Sequence, residues 1–392
     1  MFYSTLFFMR PTRALVHISA IRHNIRLIRE QYIRQAAAEP IICAAVKANA
    51  YGHGAVEVAR AVLDAGAACL GVAVPEEGIE LRQAGISAAI LLFSPFFPEE
   101  STAIAENNLV PMVFDAERIT ALNAAAERSG RTTDVYLKID TGMGRVGCSM
   151  PQAVELATAI QSSRGLRLVG LATHFAASDG SSLDFARTQL GRFRDAAATL
   201  RAADIDPGIL SAANSGAVIT MPDSAGLDMA RPGIMIYGYY PSHDVSRPLQ
   251  LQPAMTLESA VGFIKQVPAG TPISYGMTYT TARETRIATI PIGYADGVFR
   301  ALSNRGRVWI KGRTYPIVGR ICMDQLMVDI GMDSGITLYD RAVLFGPPQP
   351  APAHTPWPED PPTAEEVADL CDTIPYEITC AVSGRIPRVY VD

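Results

Sequence analysis

The stretch IICAAVKANAYGHGAVEVARAVLDAGAACLGVAV, residues 41–74, contains the pattern that decides the fold. A short apolar run ends in a polar, glycine-containing segment, an alanine-rich stretch of helical period follows, and a second apolar run closes the unit. The same alternation continues from Ile41 to Gly238 and is typical of repeated βα units.

Eight apolar runs at fairly even spacing are the candidate strands of these units. They are ICAAVK ending at Lys47, CLGVAV from Cys69, AILLFS from Ala89, VPMVF from Val110, VYLKID from Val135, RLVGLATH from Arg167, ILSAAN from Ile209 and LDMARPG from Leu227. Eight units predict an α/β fold with a closed (β/α)8 TIM-type barrel. An open doubly wound sheet is the alternative, because a strand count from one sequence is uncertain by about one or two.

The sequence changes character after Ser246. Alternating strand patterns with glycine turns replace the helical periods, which predicts a second, mostly β domain. We therefore expect a barrel domain over residues 10–246 and a mostly β domain over residues 247–392. The smaller expected features are a strand at 14–18 that pairs with the β domain, a proline-rich surface loop at 347–362 and a helix at about 364–371.

Composition and charge exclude several classes of function. The 392 residues correspond to roughly two domains, and 48% hydrophobic with 19% charged residues is typical of a globular protein. The net charge of -5 and the lack of a basic run argue against nucleic acid and anionic membranes as partners. The apolar opening, Met1 to Phe8, is short and lacks the basic start of a signal peptide, so we interpret it as an N-terminal extension. The sequence has no apolar run of about eighteen residues, so it predicts no spanning helix. A cytoplasmic location is therefore the expectation. The six scattered cysteines lack a C-x-x-C pair and a histidine cluster, so we predict reduced thiols and no metal site.

Polar residues just after the apolar runs are the candidate site residues, because the chemistry of such barrels lies at the carboxyl ends of the strands. They are Lys47 with Tyr51, Lys138 with Arg145, His174, Asn214 with Ser215, and Arg231 with Gly233. Position alone does not assign a role to Lys47, since a strand-end lysine more often only lays its apolar stem along the surface. The role of Lys47 therefore has to be inferred from the surrounding motif.

The segment VKANAYGHG around Lys47 resembles the cofactor-lysine segment of alanine racemases. The resemblance continues in register through LKIDTGMGRVG from Leu137, THFA from Thr173, AANSGA from Ala212, ARPGIMIYG from Ala230, SYGMTYT from Ser274, IPIGYADG from Ile290, GRICMDQ from Gly319, PYEI from Pro375 and RIPR from Arg385. It covers nearly the whole chain from Arg10 onward. It implies an isomerase that uses pyridoxal 5'-phosphate to interconvert L- and D-alanine, supplies D-alanine for peptidoglycan, and works as a homodimer with shared active sites.

The resemblance also implies two catalytic bases on opposite faces of the substrate. Lys47 holds the cofactor through its amine and acts as one base, and Tyr275 of the neighbouring subunit acts as the other. The cofactor is needed as an electron sink, because the α-proton of alanine is too weakly acidic for a side-chain base alone. A tyrosine chosen at random more often packs its ring in a strand, so the motif SYGMTYT carries the assignment of Tyr275.

Further residues match contacts that the family makes with cofactor and substrate. Arg231 matches the arginine that faces the pyridine nitrogen, and His174 matches the histidine that links it to the tyrosine. Arg145 matches the arginine at the cofactor phenolic oxygen and substrate carboxylate, and Lys138 matches a lysine that can carry a carbamate able to hold Arg145. The implied phosphate-site residues are Tyr51, Ser215, Gly233, Ile234 and Tyr376, and Asn214 is expected to order the cofactor-binding loop. The implied substrate contacts are Tyr294 and the Met323 amide, with Cys322 and Asp324 beside them. For Tyr294, Met323, Cys322 and Asp324, the alternative is ordinary strand packing or turn capping. For His174, the alternative is a histidine that packs in the core with its hydrogen bonds satisfied.

Several other functions remain open at the level of the sequence. A broader racemase for serine or lysine would keep every catalytic residue named above. A fold-sharing amino-acid decarboxylase is expected to place an acidic residue where Arg231 stands, and a non-catalytic pyridoxal-phosphate-binding homeostasis protein would lack the second domain. The formal dinucleotide fingerprint at Gly142, Gly144 and Gly147 is discounted, because no acidic residue follows about twenty positions later at a strand end.

Overall fold

The computed structural model describes residues 10–35, 40–332, 335–347 and 358–392. The chain divides into two compact units, Ala20–Gln252 and residues 10–19 with Pro253–Asp392. The division falls after Gln252, not after Ser246 as the sequence pattern predicts, because Gln252 exchanges hydrogen bonds of 2.8 Å with the side chain of Asn24. The predicted N-terminal extension and most of the predicted proline-rich loop lie outside the described residues.

The first unit contains a closed barrel of eight parallel strands. The chain starts with β1 (Arg13–His17), which belongs to the second unit, and α1 (Ile18–Gln35). The barrel strands are β2 (Ile41–Ala45), β3 (Cys69–Val72), β4 (Ala89–Leu92), β5 (Val110–Val113), β6 (Thr133–Lys138), β7 (Leu166–Ala172), β8 (Ile209–Ser211) and β9 (Met229–Ala230). The barrel closes where Ile41 pairs with Met229. The predicted (β/α)8 barrel is confirmed and the open sheet is excluded, because every candidate run supplies one strand.

Helices follow the barrel strands, as the repeated βα pattern predicts. They are α2 (Lys47–Tyr51), α3 (Ala55–Asp64), α4 (Pro75–Gln83), α5 (Ser101–Glu106), α6 (Ala116–Ser129), α7 (Ala153–Ser162), α8 (Asp184–Ala202) and α9 (Ser215–Thr220), with 3-10 helices at Pro98–Glu100, Met150–Gln152, Pro222–Gly226 and Ile234–Tyr237. Helix α6 shows how the sequence sets such bounds. Asp115 accepts a 2.9 Å hydrogen bond from the Arg118 amide at its start, and Gly130, with φ of 65°, ends it.

The barrel interior is a packed core, and two strand glycines make room for aromatic rings in it. A Cβ on Gly71 would lie 1.9 Å from Phe93 Cζ, and one on Gly170 would lie 2.1 Å from Tyr136 Cε1. The guanidinium carbon of Arg231 lies over the Phe93 ring, 5.9 Å from its centre. These rings therefore form an apolar floor beneath the polar residues at the mouth of the barrel.

The second unit is mostly β, as the sequence predicts. Its strands after β1 are β10 (Met255–Ala260), β11 (Phe263–Val267), β12 (Pro272–Ile273), β13 (Tyr279–Thr280), β14 (Thr285–Ile290), β15 (Arg307–Ile310), β16 (Arg313–Pro316), β17 (Leu326–Gly331), β18 (Arg341–Phe345) and β19 (Arg388–Val391). They form a six-stranded sheet in the order β16-β15-β18-β10-β1-β19, a three-stranded sheet in the order β11-β14-β17, and the pair β12-β13. Helices α10 (Ala364–Leu370) and α11 (Pro375–Cys380) and 3-10 helices at Tyr275–Met277, Tyr294–Asp296 and Arg300–Leu302 complete the unit.

Strand β1 is the element that ties the start of the chain to the β unit. It runs antiparallel to β10, with Arg13 opposite Glu258, and parallel to β19. Within the described ranges, no helix has the length and apolar character that crossing a membrane requires.

Candidate active site

Lys47 lies just beyond β2, at the carboxyl end of the barrel strands. The strand ends at Ala45, earlier than predicted, and Lys47 begins the short segment α2. Residues 48–51 have φ angles of 53°, 53°, 53° and 52°, so this segment is a left-handed turn. Left-handed backbone costs non-glycine residues roughly 1–2 kcal/mol each, and such strain is concentrated at functional sites.

Hydrogen bonds hold this left-handed turn in place. The Ala50 amide donates to Val46 O at 2.8 Å, which closes the turn. The side chain of Asn49 accepts a bond of 2.8 Å from the Ala55 amide at the start of α3. Gly52, with φ of 84°, then lets the chain leave the turn without a further side-chain penalty. The backbone that carries Lys47 is therefore built for one conformation.

Three basic side chains, Lys138, His174 and Arg231, meet at the floor of the barrel mouth, and the carboxylate of Asp140 only partly offsets the positive charges that act on Lys138. Lys138 and Arg231 are each only 6% exposed. Burial lowers the pKa of Lys138 well below its ordinary value, and the charges of Arg231 and Arg145 lower it further. Burial also lowers the pKa of His174 well below its ordinary value, with Lys138 and Arg231 adding to the effect. Both bases are therefore biased towards their uncharged forms.

Arg231 connects Thr173, which follows β7, to Ser211, the last residue of β8. Its guanidinium donates to Thr173 O at 2.5 Å and to the hydroxyl of Ser211, and its Nη2 lies 3.4 Å from His174 Nδ1. Because a guanidinium has only donors, Nδ1 of the neutral imidazole is the acceptor and the proton lies on Nε2. Ser211 was missed by the sequence reasoning, although it stands inside the predicted strand ILSAAN.

Arg145 is carried on a tight loop after β6. Asp140 Oδ1 accepts from the amides of Gly142 and Gly144 at 2.9 and 3.1 Å. A Cβ on Gly147 would lie 2.4 Å from the Asp140 amide nitrogen, so the loop closes only around a glycine. The glycines thus shape the loop that presents Arg145. This structural role explains their spacing without a dinucleotide-binding site.

Ser215, Gly233 and Tyr51 form a cradle of hydroxyl and amide groups at the mouth of the barrel. Ser215 Oγ accepts from the Gly233 amide at 2.9 Å, and a Cβ on Gly233 would lie 2.4 Å from the Tyr51 hydroxyl oxygen. Asn214 caps α9 by accepting from Ala217 N at 3.0 Å, which fits its expected role of ordering the loop. Ile234 begins the 3-10 helix that follows Gly233.

The predicted residues of the β unit form a group of their own. Tyr275 is 72% exposed and lies on a turn that Ser274 ties to Arg320 O by a bond of 2.5 Å. The Tyr294 amide donates to Cys322 O at 3.1 Å, which joins the Tyr294–Asp296 turn to the 322–324 loop that carries Met323. The side chains of Tyr294 and Met323 are both exposed.

Two further residues of the β unit, Tyr376 and Asp296, stand in segments that carry the resemblance. Tyr376 lies half-buried in α11 of the β unit. Asp296 is fully buried and accepts two bonds from Arg10, at 2.7 and 3.2 Å, and one from the Gly293 amide at 3.1 Å. The sequence reasoning quoted Asp296 only as part of IPIGYADG and assigned it no role.

The barrel mouth therefore combines a primary amine, the buried cation of Arg231 and a small cradle of hydroxyl and amide groups. The fixed charge of a guanidinium favours an anionic ligand, and a hydroxyl and amide cradle next to glycine suits a phosphate group. The amine of Lys47 is the nucleophile that the geometry offers to such a ligand.

Comparison with known proteins gives one consistent result along the whole chain. The family profile "Alanine racemase, N-terminal domain" matches residues 16–241, and "Alanine racemase, C-terminal domain" matches residues 254–390. An alanine racemase of Treponema denticola is 41% identical over 98% of this chain and 99% of that protein. One of Carboxydothermus hydrogenoformans is 44% identical over 98% of this chain and 100% of that protein. A solved alanine racemase of Clostridium difficile 630 matches with a TM-score of 0.89 and 38% identity, over 97% of this chain and 96% of that one.

Proposed function

The chain belongs to the alanine racemase family and is an enzyme of that class; from this premise we propose that it interconverts L- and D-alanine with pyridoxal 5'-phosphate by a two-base mechanism. The observation that carries the proposal is the placement of Lys47 at a barrel mouth whose floor holds the buried guanidinium of Arg231 beside the basic side chains of Lys138 and His174. A small amino acid is the substrate class of the family.

The residues of the barrel mouth fit this cofactor. Ser215, Tyr51 and the amides at Gly233 and Ile234 would hold the phosphate group. Position 233 has to be a glycine in this cradle, because any side chain there would collide with the Tyr51 hydroxyl. Arg231 would face the ring nitrogen from the floor of the mouth, where it is fixed by Thr173 and Ser211. When bound, the cofactor supplies an electron sink that makes the α-proton of the substrate acidic.

The chain itself supplies the two proton-transfer groups. Lys47 Nζ binds the cofactor and exchanges the α-proton at one face of the substrate, and the Tyr275 hydroxyl exchanges it at the opposite face. The 72% exposure of Tyr275 leaves its hydroxyl available to another chain, which supports a homodimer in which a second copy supplies Tyr275. A cytoplasmic location and a role in peptidoglycan synthesis are the accompanying expectations of the resemblance.

His174 is the residue that we propose to assist Tyr275. Because the pKa of His174 is well below its ordinary value, the ring is neutral at pH 7, and Arg231 occupies its Nδ1 side. The proton on Nε2 makes His174 a hydrogen-bond donor that can stabilise a phenolate. Arg231 keeps its own proton, so it orients both the imidazole and the cofactor ring without transferring a proton.

Substrate binding is assigned to charged and backbone groups near these bases. Arg145 approaches the substrate carboxylate from its loop after β6, and the Met323 amide and Tyr294 contribute from the β unit. Tyr376 completes the phosphate site in the family, and its contribution here remains a prediction. A carbamate on Lys138 would give Arg145 an anionic partner.

Solvent-deuterium incorporation at Cα of alanine, followed together with chirality, tests the proposal. We expect exchange and racemisation for the wild type with added pyridoxal phosphate. In Tyr275→Phe, we expect selective loss of proton abstraction from the L-enantiomer, because only one face loses its base. Exchange that is lost equally from both enantiomers would contradict the two-base assignment.

A negative result with alanine has a defined meaning. If the wild type binds the cofactor but neither exchanges nor racemises alanine, the proposed substrate is wrong. Serine, lysine and decarboxylation assays would then distinguish a broader racemase from a fold-related decarboxylase.

A further inference from the structure

The peptide group that follows Lys47 is held by a side chain from another βα unit. The Ala48 amide lies in the first turn of α2, where backbone amides have no carbonyl partner within the turn. It donates to Oε1 of Glu77 in α4 at 2.6 Å. The other oxygen, Oε2, accepts from the Ala73 amide at 2.7 Å and from the Val74 amide at 3.4 Å. The carboxylate thus joins the loop after β2 to the loop after β3.

We propose that Glu77 is the positioning residue for Lys47, an inference that rests on the proposed function. The peptide bond between Lys47 and Ala48 is planar, so fixing its N–H direction fixes ψ of Lys47. On the other side of Lys47, the carbonyl oxygen of the Val46–Lys47 peptide group accepts a bond of 2.8 Å from the Ala50 amide. With both flanking peptide groups held, the Cα–Cβ bond of Lys47 has one direction, which a proton-transfer group needs.

The strain of the left-handed turn makes this support necessary. Residues 48–51 all have φ near 50°, which an alanine- and asparagine-containing segment does not keep without fixed partners. Bonds within the turn close its later part, but the Ala48 amide at its start depends on Glu77. Loss of the Glu77 bond is therefore expected to release the turn next to Lys47 first.

A carboxylate is the group that this position requires. Both of its oxygens are acceptors and each faces a backbone donor, whereas glutamine would turn an NH2 donor towards one of those amides. Capping of α4 alone would explain the bonds to Ala73 and Val74, which precede that helix. It does not explain the bond of 2.6 Å to Ala48, which belongs to a different βα unit.

Glu77→Gln and Glu77→Ala in the full-length enzyme test the proposal, with Glu80→Gln as the matched control. Glu80 lies on the same helix, is exposed and carries the same charge. Three quantities are compared: hydrogen exchange of the Ala48 amide, the rate at which cofactor-depleted protein regains the visible absorbance of bound pyridoxal phosphate, and kcat and KM for alanine. Thermal unfolding of each variant reports stability separately.

A positioning role predicts a specific combination of results for Glu77→Gln. Exchange at Ala48 should accelerate about tenfold, and cofactor recovery and kcat should each fall about tenfold, as expected for loss of one charge-assisted hydrogen bond. KM should stay within about twofold of the control, since the substrate contacts are elsewhere. Glu77→Ala should show the same changes, larger in size.

Two outcomes would overturn the proposal. A variant that only unfolds at lower temperature, with cofactor recovery and kcat equal to Glu80→Gln, would reduce Glu77 to a helix cap. Faster exchange at Ala48 without a change in cofactor recovery would mean that the turn does not direct Lys47. Failure of the proposed function is distinguishable, because wild type and Glu80→Gln would then bind the cofactor normally but leave alanine unchanged.

Discussion

Burial decides what the charged side chains of the barrel mouth can do. Lys138 and Arg231 lie equally deep, but only the lysine can lose its proton, because a guanidinium stays charged even where burial lowers its pKa. The result is a neutral histidine, a fixed cation and an amine of lowered pKa within one cluster. A site of this kind is prepared for an anion before any ligand arrives.

The lowered pKa of Lys138 leads to a prediction about carbon dioxide. An amine reacts with CO2 only when uncharged, and a lowered pKa increases the uncharged fraction at neutral pH. We expect protein prepared with carbon-13-labelled bicarbonate to show one carbamate resonance, because the product anion is stabilised by Arg231 and Arg145. The resonance should disappear as the pH is lowered, and it should be absent from Lys138→Arg. If Lys311→Arg, a change at an exposed lysine, removes it as well, Lys138 is not the modified residue.

Asp296 is expected to be a main source of stability in the β unit. It is fully buried, and Asn in its place would leave the Arg10 guanidinium without its carboxylate, at a cost of about 3 kcal/mol. Asp324 is the matched control, because its carboxylate pairs at 2.8 Å with Arg385, which also lies 3.5 Å from Asp296, but is 54% exposed. Asp324→Asn should change stability by less than about 1 kcal/mol. Chemical denaturation of both variants gives the comparison, and equal losses would refute the assignment.

At the residue scale, the sequence identifies side chains whose motif is distinctive and misses those that act through position. Lys47, Tyr275 and Arg231 stand in motifs that resemble a known family. Glu77 looks like an ordinary acidic residue in the first turn of a helix, and nothing in the sequence near it points to Ala48. Contacts between separate βα units depend on how the barrel closes, and that information is not local.

The left-handed turn after β2 is an element that local sequence rules do not predict. Glycine is the usual indicator of positive φ, yet the residues in KANAY include none. The turn exists because Glu77, Val46 and Asn49 supply partners for its backbone. Tertiary contacts thus overrule local preference at the point where Lys47 is presented.

A pair of alanine-to-glycine changes tests the strain in this turn. Ala48→Gly relieves the left-handed penalty and is expected to stabilise the protein by roughly 0.5–1 kcal/mol. Ala198→Gly, at an exposed position inside α8, should instead destabilise it by about 1 kcal/mol. Denaturant unfolding of both variants measures the difference. A loss of stability in both would show that the turn is not strained at Ala48.

The strands were predictable because each combines an apolar run with clear boundaries at both ends. Each of the eight barrel strands overlaps one of the short apolar runs, which are bounded by polar or glycine-containing segments, so the sequence locates all eight. Bounds were less accurate: β2 ends at Ala45 rather than at Lys47. The domain boundary was also misplaced, because the chain from Ser246 to Gln252 has no periodic pattern to mark it.

At the scale of the whole molecule, the two units carry different parts of the proposed chemistry. The barrel holds the amine, the buried cations and the cradle, whereas the β unit holds Tyr275, Tyr294 and Met323 on exposed turns. Exposure of these large side chains on a rigid, hydrogen-bonded surface is typical of an interaction site. The proposed homodimer with shared sites would account for it, since each copy would receive the groups that the other presents.

Mixing two inactive chains tests this assembly. Lys47→Ala removes the base and cofactor link of the barrel, and Tyr275→Phe removes the other base, so each homodimer should racemise poorly. A heterodimer has one site with both defects and one site with neither, if Tyr275 reaches the partner's barrel. We therefore expect mixed chains to recover activity equivalent to one competent site per heterodimer, in proportion to the heterodimer measured by native mass spectrometry. Heterodimers that form but stay inactive would show that each chain uses its own tyrosine, because every site would then lack one base.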